Sequence, residues 1–205
     1  MGSGDMDQEF MYRAIDTSMH AVVFCDLDLN IEWVNGEFLR KFDLEDIGAA
    51  KGKSIISMLN NPDSIAGPML ELLETGRWQG ELQFQLSDGS TIDTLVNAAI
   101  LPDASGAPRR IIASGMDITR KKLAENVLRE SEDRYRVLFN TAMDSIFIKN
   151  RYLRYTQVNP AMKQLFELPT SELIGKTDED LFGSESFAHI RETDYRVLGG
   201  ESIEE

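Results

Sequence analysis

RRIIASGMDI at residues 109–118, running without a break into TRKKLAENVLRESEDRYRVLFNTA at residues 119–142, is the stretch that decides the fold. The first half is β-branched and nearly free of helix-favouring surface residues, so it reads as a strand. The second half contains no Gly or Pro and is rich in strong helix formers, so it reads as a long helix. At the junction, Asp117 or Thr119 can accept hydrogen bonds from first-turn amides that the helix itself leaves unpaired. Along the predicted helix Ala124, Leu128, Ser131, Tyr135, Leu138 and Ala142 recur at alternating four- and three-residue steps, an a/d seam that Leu123 and Val127 widen. Such a helix spans roughly 36 Å at about 1.5 Å per residue, enough to connect two domains or to pair with its own copy. The plainer alternative is a surface helix packed on its own domain.

Upstream of that junction, STIDTLVNAAIL (90–101) is predicted as a strand joined to 109–118 by the Pro- and Gly-containing loop 102–108. WQGELQFQL (78–86) alternates cleanly, with Trp78, Leu82, Phe84 and Leu86 on one face. Ser87-Asp88-Gly89-Ser90 between those two strands is a hairpin signal. Earlier come two short strands, HAVVFCD (20–26) and NIEWVN (30–35), on either side of a turn rich in Asp and Asn. Short helical pieces follow, carrying Phe38, Leu39, Phe42, Leu44 and Ile47, then Ile55, Ile56, Met58 and Leu59. A clearer helix runs from Asp63, read as its cap, to Thr75, with Gly76 as its stop and Ile65, Met69, Leu72 and Leu73 as its apolar face. An amphipathic helix over residues 6–18, with Phe10, Met11, Ala14 and Ile15 on one side, precedes all of these. Two strands, several helices, three strands and an exit helix make an α+β domain, one antiparallel sheet with its helices on one face.

The chain of 205 residues carries a formal net charge of −14, which argues against nucleic acid or an anionic membrane as a partner. Its 42% hydrophobic residues are enough for real cores. The segment 119–136 is the only part with a basic excess. Cys25 is the single cysteine, so no intrachain disulfide forms and a reducing, cytoplasmic compartment is expected. Its apolar neighbours mark it as a small buried residue rather than a reactive thiol. No apolar run approaches the roughly 18 residues that span a bilayer, and no signal pattern opens the chain.

Past the long helix the sequence starts again. Phe139-Asn-Thr-Ala-Met143 echoes Ile15-Asp-Thr-Ser-Met19, and Val158-Asn159 echoes Val34-Asn35, both at an offset of 124 residues. Phe166 and Leu168 echo Phe42 and Leu44, and Gly175-Lys-Thr matches Gly52-Lys-Ser after a one-residue slip. A single repeat of domain size means tandem copies of one fold. The expected division is an N-terminal segment at 1–11 that begins the cap helix, a first unit at 12–118, a connector helix at 119–136, and a second unit at 137–205. The second unit stops before any counterpart of the last three strands, through truncation or disorder, with a strand swapped in from a neighbour as the alternative remedy, and should lack a closed cavity.

Both copies resemble the PAS family of sensory domains. The resemblance rests on the WVN-xx-F pattern at Trp33 to Phe38, its VNPAM counterpart at 158–162, and the Gly-Lys-[Ser/Thr] steps. ETGRWQGEL, the later Asp-Gly turn and the MDIT ending at Thr119 add to it. The resemblance implies a five-stranded antiparallel sheet with a ligand cavity between its inner face and the helices. It also implies a bacterial sensor protein whose output, a histidine kinase or diguanylate cyclase, lies outside this chain. The pocket candidates are Phe24, Trp33, Asn35, Phe38, Leu72, Trp78, Asn97 and Ser114. The candidate signal relay is Asp117, Ile118, Thr119 and Arg120, with Arg120 close enough to pair with Asp117. An amphipathic helix before the first domain and a heptad seam after it make a homodimer the expected assembly.

No catalytic constellation stands out, so the chain is not expected to be an enzyme. His20 and His189 are too few and too far apart for a metal site. Asp178, Glu179 and Asp180 form a charge run that reads as a solvated face. A haem needs only one axial histidine, and His189 lies where haem-binding relatives carry theirs, but the first copy has none there, so haem is disfavoured. Gly36-Glu-Phe-Leu does not supply the reactive Cys of photoactive relatives. The Trp78-Gln-Gly-Glu-Leu82 strand resembles that of redox-sensing flavin PAS domains, and Asn97 and Ser114 would offer polar groups to an apolar pocket, so FAD is a candidate cofactor. Against it, the basic segment usual in that strand is replaced here by Phe84-Gln-Leu-Ser-Asp88-Gly. The competing reading makes Trp33, Trp78 and Phe84 core and lets Asn97 satisfy backbone. Two functions remain: a ligand or redox sensor that relays through the connector, and a ligand-free dimerisation and spacing module.

Overall fold

A computed structural model describes residues 13–202, with the backbone alone for residues 184–189. The expected opening helix therefore lies outside the described residues from 6 to 12, and residues 13–16 are helical. The chain forms two compact units, Met1–Glu125 and Asn126–Glu205.

In the first unit, β1 (Ala21–Cys25), β2 (Ile31–Val34), β3 (Arg77–Gln85), β4 (Thr91–Pro102) and β5 (Pro108–Asp117) form an antiparallel sheet in the order β2-β1-β5-β4-β3. The strand of the deciding stretch, β5, sits at the centre, with Ala21 and Val96 both opposite Gly115. Alternation then fixes the inner face as Val23 and Cys25 of β1, Ile92, Thr94 and Val96 of β4, Ile111 and Ala113 of β5, and Leu82 and Phe84 of β3. Helices α1 (Gly36–Lys41), α2 (Ile47–Ala50) and α3 (Ala66–Thr75), with 3₁₀ turns at Ile55–Met58 and Pro62–Ile65, supply the rest of this core. The helix over 63–75 opens differently from expectation. Asn61 rather than Asp63 caps the 3₁₀ turn Pro62–Ile65 that leads into it, accepting from the Asp63 amide, and Pro62 takes the first position where a missing N–H costs nothing, while α3 itself starts after Ile65 without a side-chain cap. Gly76 ends the helix at φ 76°, a left-handed stop, while Leu73 is exposed.

Helix α4 (Thr119–Thr141) runs on from β5 for 23 residues and contains no buried residue. Its seam residues Leu128 and Leu138 are 60% and 63% exposed. Among the described residues no helix is long and apolar enough to cross a membrane.

The second unit contains β6 (Phe147–Lys149), β7 (Tyr155–Val158), α5 (Pro160–Phe166), α6 (Thr170–Leu173), α7 (Asp178–Phe182) and α8 (Ser184–Leu198). Its described sheet has two strands. The repeat extends to backbone detail. Val23↔Val34, Phe24↔Trp33 and Cys25↔Ile31 in the first copy become Phe147↔Val158, Ile148↔Gln157 and Lys149↔Tyr155 in the second, with the same irregularity before the last pair. Leu29 and Leu153 share a positive φ, as do Asp43 and Glu167. The Gly52 amide donates to Ile31 O and the Gly175 amide to Tyr155 O, both at 2.8 Å.

Candidate ligand pocket and helix junction

Between the inner face of the sheet and α1, α3 and the 3₁₀ turns lies a cavity of about 90 Å³. It exists because the centre of the inner face is built from small residues, Ala21, Ala98, Ala113 and Gly115. Larger side chains rim it, including Phe38, Phe42, Met69, Leu72, Trp78 and Phe84. Two glycines are sterically required. A Cβ at Gly80 would stand 2.4 Å from the Trp78 ring, and one at Gly115 would stand 2.8 Å from Thr94 Cγ2.

One end of this apolar cavity is polar. Lys41 at the end of α1, Thr94 of β4 and Asp117 of β5 all line it. Thr94 and Asp117 are direct cross-strand neighbours, which puts their Cβ atoms roughly 5 Å apart. Lys41 Nζ donates to Asp117 Oδ2 at 2.6 Å, and the Thr119 amide donates to Asp117 Oδ1 at 2.9 Å. Desolvation pushes the Asp117 carboxyl up, but the hydrogen bonds from Lys41 and Thr119 and the Lys41 charge together outweigh it and hold it below the ordinary carboxylate value. Thr94 is 7% exposed, and its Oγ1 has no hydrogen-bond partner. Cys25, also on the wall, is buried, and desolvation by burial, then the charges of Asp26 and Glu32, push its thiol up to about 12, so it stays protonated at neutral pH.

The helix junction is fastened to the sheet by several bonds. The Ile118 amide donates to Asp93 O at 2.8 Å, and the Asp93 amide donates to Thr119 Oγ1 at 2.9 Å. Lys122 Nζ reaches Glu81 on β3 at 2.5 Å and Asp93 on β4 at 3.1 Å. The cap expected from Asp117 is present, but its cationic partner is Lys41, 76 residues upstream, while Arg120 is exposed.

Of the pocket candidates, Phe38, Leu72 and Trp78 line the cavity, and Ser114 touches it between Ala113 and Gly115. Strand parity puts the Ser114 side chain with Val22 and Asn97 on the opposite face, where Asn97 is exposed. Phe24 and Trp33 also belong to that outer face, as a cross-strand pair meeting edge-on with ring centroids 5.5 Å apart. Asn35 is wholly buried but structural. Its Oδ1 accepts from the Val22 and Phe38 amides, and its Nδ2 donates to Ile15 O and His20 O. Asn159 does the same work for Ile146, Met162 and Asp144. Sequence reasoning misses Lys41 and Thr94, for which the available signal is a lone hydroxyl in the apolar column Ile92, Thr94, Val96, Ala98.

A flavin does not fit this cavity, because cofactor-sized sites measure roughly 300–1,000 Å³ and Asn97 faces away from it. No histidine is among its lining residues. Among the described residues no cluster of metal-ligating side chains occurs.

The second unit places charge where the first has its apolar wall. Lys149 Nζ bridges Asp178 at 2.6 Å and Asp194 at 2.7 Å, and Tyr155 Oη donates to Asp178 Oδ1 at 2.6 Å. Asp178, read from the sequence as part of a solvated charge run, is 1% exposed. Burial, then the Asp178 hydrogen bond and charge, push the Tyr155 phenol well above its usual value.

An antiparallel sheet of this strand order, roofed by short helices over an apolar cavity, is the architecture that the sequence resemblance implies. Residues 19–120 match the family described as PAS domain, and residues 139–205 match the one described as PAS fold. The chain belongs to the PAS family, as two PAS units in tandem. Among its relatives, the methanogenesis regulatory histidine kinase FilI of Methanothrix harundinacea is 49% identical over 71 residues, 35% of this chain and 8% of that protein. Sporulation kinase E of Bacillus subtilis is 27% identical over 175 residues, 82% of this chain and 22% of that protein. The chain thus spans less than a quarter of the length of these relatives. A solved PAS domain from Colwellia psychrerythraea superposes with a TM-score of 0.51 at 20% identity, covering 56% of this chain and 98% of that one. An RNA-binding light-oxygen-voltage receptor superposes at 0.54 with 13% identity, covering 65% and 39%. These two likenesses concern the fold alone.

Proposed function

We propose that this chain is the sensory input region of a cytoplasmic signal-transduction protein, whose output domain, a histidine kinase or diguanylate cyclase, lies outside it. The chain itself catalyses nothing. A small ligand in the first pocket changes the setting of Asp117, and Asp117, Ile118 and Thr119 pass that change into α4. The observation that carries this reading is that one carboxylate both lines the cavity and caps α4. The Lys41–Asp117 pair is partly exposed and contributes about 0–1 kcal/mol, so its role is to bias two arrangements of similar free energy rather than to stabilise one. Replacing Asp117 by Ala in the full-length protein uncouples output from signal while the first unit stays folded. A D117A variant that responds fully to signal would refute the relay.

The exposed Leu128 and Leu138 on α4 favour a second role, homodimerisation through the connector. Sedimentation equilibrium should show a dimer that a Leu128→Glu, Leu138→Glu variant loses. A monomer at high concentration would leave the seam without that role. Ligand-free spacing is the competing function, and ligand-independent output would establish it.

A further inference from the structure

We propose that the first pocket takes a small aliphatic amine, with its ammonium on Asp117 and Thr94 in place of Lys41 and its alkyl chain over the small residues at the centre of the sheet. This inference rests on the reading of that cavity as a ligand site and names the ligand class.

Four observations converge on it. Thr94 lines the cavity, its hydroxyl is buried without a partner, and Asp117 stands opposite it across the β4–β5 pairing. A buried polar atom left unpaired is costly, so the site is incomplete without a group that can bond there. The two charged neighbours differ in how firmly they are held. Asp117 is anchored by the Thr119 amide as well as by Lys41, whereas the ammonium of Lys41 ends a flexible stem whose side chain is 27% exposed and can reach water. A cation can therefore displace Lys41 at small cost, with one positive charge replacing another on Asp117. A carboxylate would have to face the anchored Asp117 or break its cap. The formal net charge of −14 also enriches cations around the chain and repels anions.

Cavity size limits the alkyl part. At about 90 Å³ the space is smaller than the roughly 150 Å³ engineered cavity that admits a benzene, so a chain of about three or four carbons fills it. The consequence for signalling follows from the bond that is lost. Lys41–Asp117 ties the end of α1 to the cap of α4, and amine binding unties them while leaving the cap itself in place.

The test uses the 205-residue chain, with n-propylamine hydrochloride, 1-propanol and sodium propionate as probes at fixed ionic strength and neutral pH. Thermal unfolding and the fluorescence of Trp78, which lines the cavity, report binding. Propylammonium is expected to bind best, propanol more weakly and propionate not at all. Thr94→Val should weaken propylammonium about tenfold, the loss of one hydrogen bond to a charged group. Lys41→Met, or Lys41→Gln should the first variant fail to fold, removes the competing cation and should tighten it several-fold. A wall residue with a merely structural role would not do that. Preference for propionate, or no gain from removing Lys41, overturns the proposal. If propanol binds and propylammonium does not, the ammonium assignment falls and the pocket stands. If none of the three probes registers, the ligand-site reading falls with it.

Discussion

Asn35 and Thr94 are both buried polar residues, and their opposite bonding states assign them different roles. Asn35 meets four backbone groups and is a rivet between the approach to β1, the strand itself and α1. Thr94 Oγ1 meets none. Removing an unpaired buried hydroxyl while keeping its volume should help the ligand-free fold, so Thr94→Val is expected to raise stability by about 1 kcal/mol in urea unfolding. A loss of stability would mean that the hydroxyl has a bond in the native state. Sequence alone could separate neither case. Asn35 and Asn159 recur in both copies, which marks them as needed without saying for what. Phe24, Trp33 and Asn97 lie on strands that border the pocket but project from the opposite face. Both faces of β1 and β2 carry large apolar side chains, so neither an alternation nor the choice of inner face is legible there. Trp78, Leu82 and Phe84 share one face, legible in the sequence because β3 alternates them with Gln79, Glu81, Gln83 and Gln85.

At the scale of elements, the passage from β5 into α4 was legible because its signals are local, a β-branched run, an Asp cap and an uninterrupted helix-forming run. The partner of the cap was not, since Lys41 is brought to Asp117 only by the folding of α1 onto the sheet. The same distance in sequence hides the ties from Lys122 to Glu81 and Asp93. Because the folded Asp117 carboxyl titrates below the ordinary value of 3.8, its charged form adds stability above that pH and loses it as pH falls through the lower, folded value. The stability difference between the native chain and an Asp117→Asn variant should therefore be present at neutral pH and shrink below pH 3.8. It should be accompanied by faster hydrogen exchange at the first-turn amides of α4. A difference that persists unchanged at lower pH would mean that the Asp117 charge plays no part in holding the junction.

The molecule as a whole contains one fold used twice with opposite interiors. Cys25, Ile31 and Ile55 in the first unit align, through the shared register and the Gly-Lys step, with Lys149, Tyr155 and Asp178 in the second. In the first unit Cys25 and Ile55 stand on the apolar wall and Ile31 lies in the core, and in the second the same positions close into a buried ion network. Breaking such a network differs from replacing it. Lys149→Met leaves Asp178 buried beside Asp194 without its cation, and should cost the second unit about 3–5 kcal/mol. Exchanging all three residues for the apolar set of the first unit removes Lys149 and Asp178 together and leaves only the part-exposed Asp194 without its cation, so it should cost less than Lys149→Met alone. The Tyr155 phenol adds a pH signature. Its folded value is raised above the ordinary phenol value of 10.0, so its contribution is complete below that pH and declines as pH rises beyond it. The two units can be followed separately, because both tryptophans, Trp33 and Trp78, lie in the first. In Lys149→Met the thermal transition seen by far-ultraviolet circular dichroism should gain an early component, while the tryptophan fluorescence transition stays where it is. An equal shift of both signals would show that the two units unfold as one, and no shift of either would show that Asp178 does not depend on Lys149.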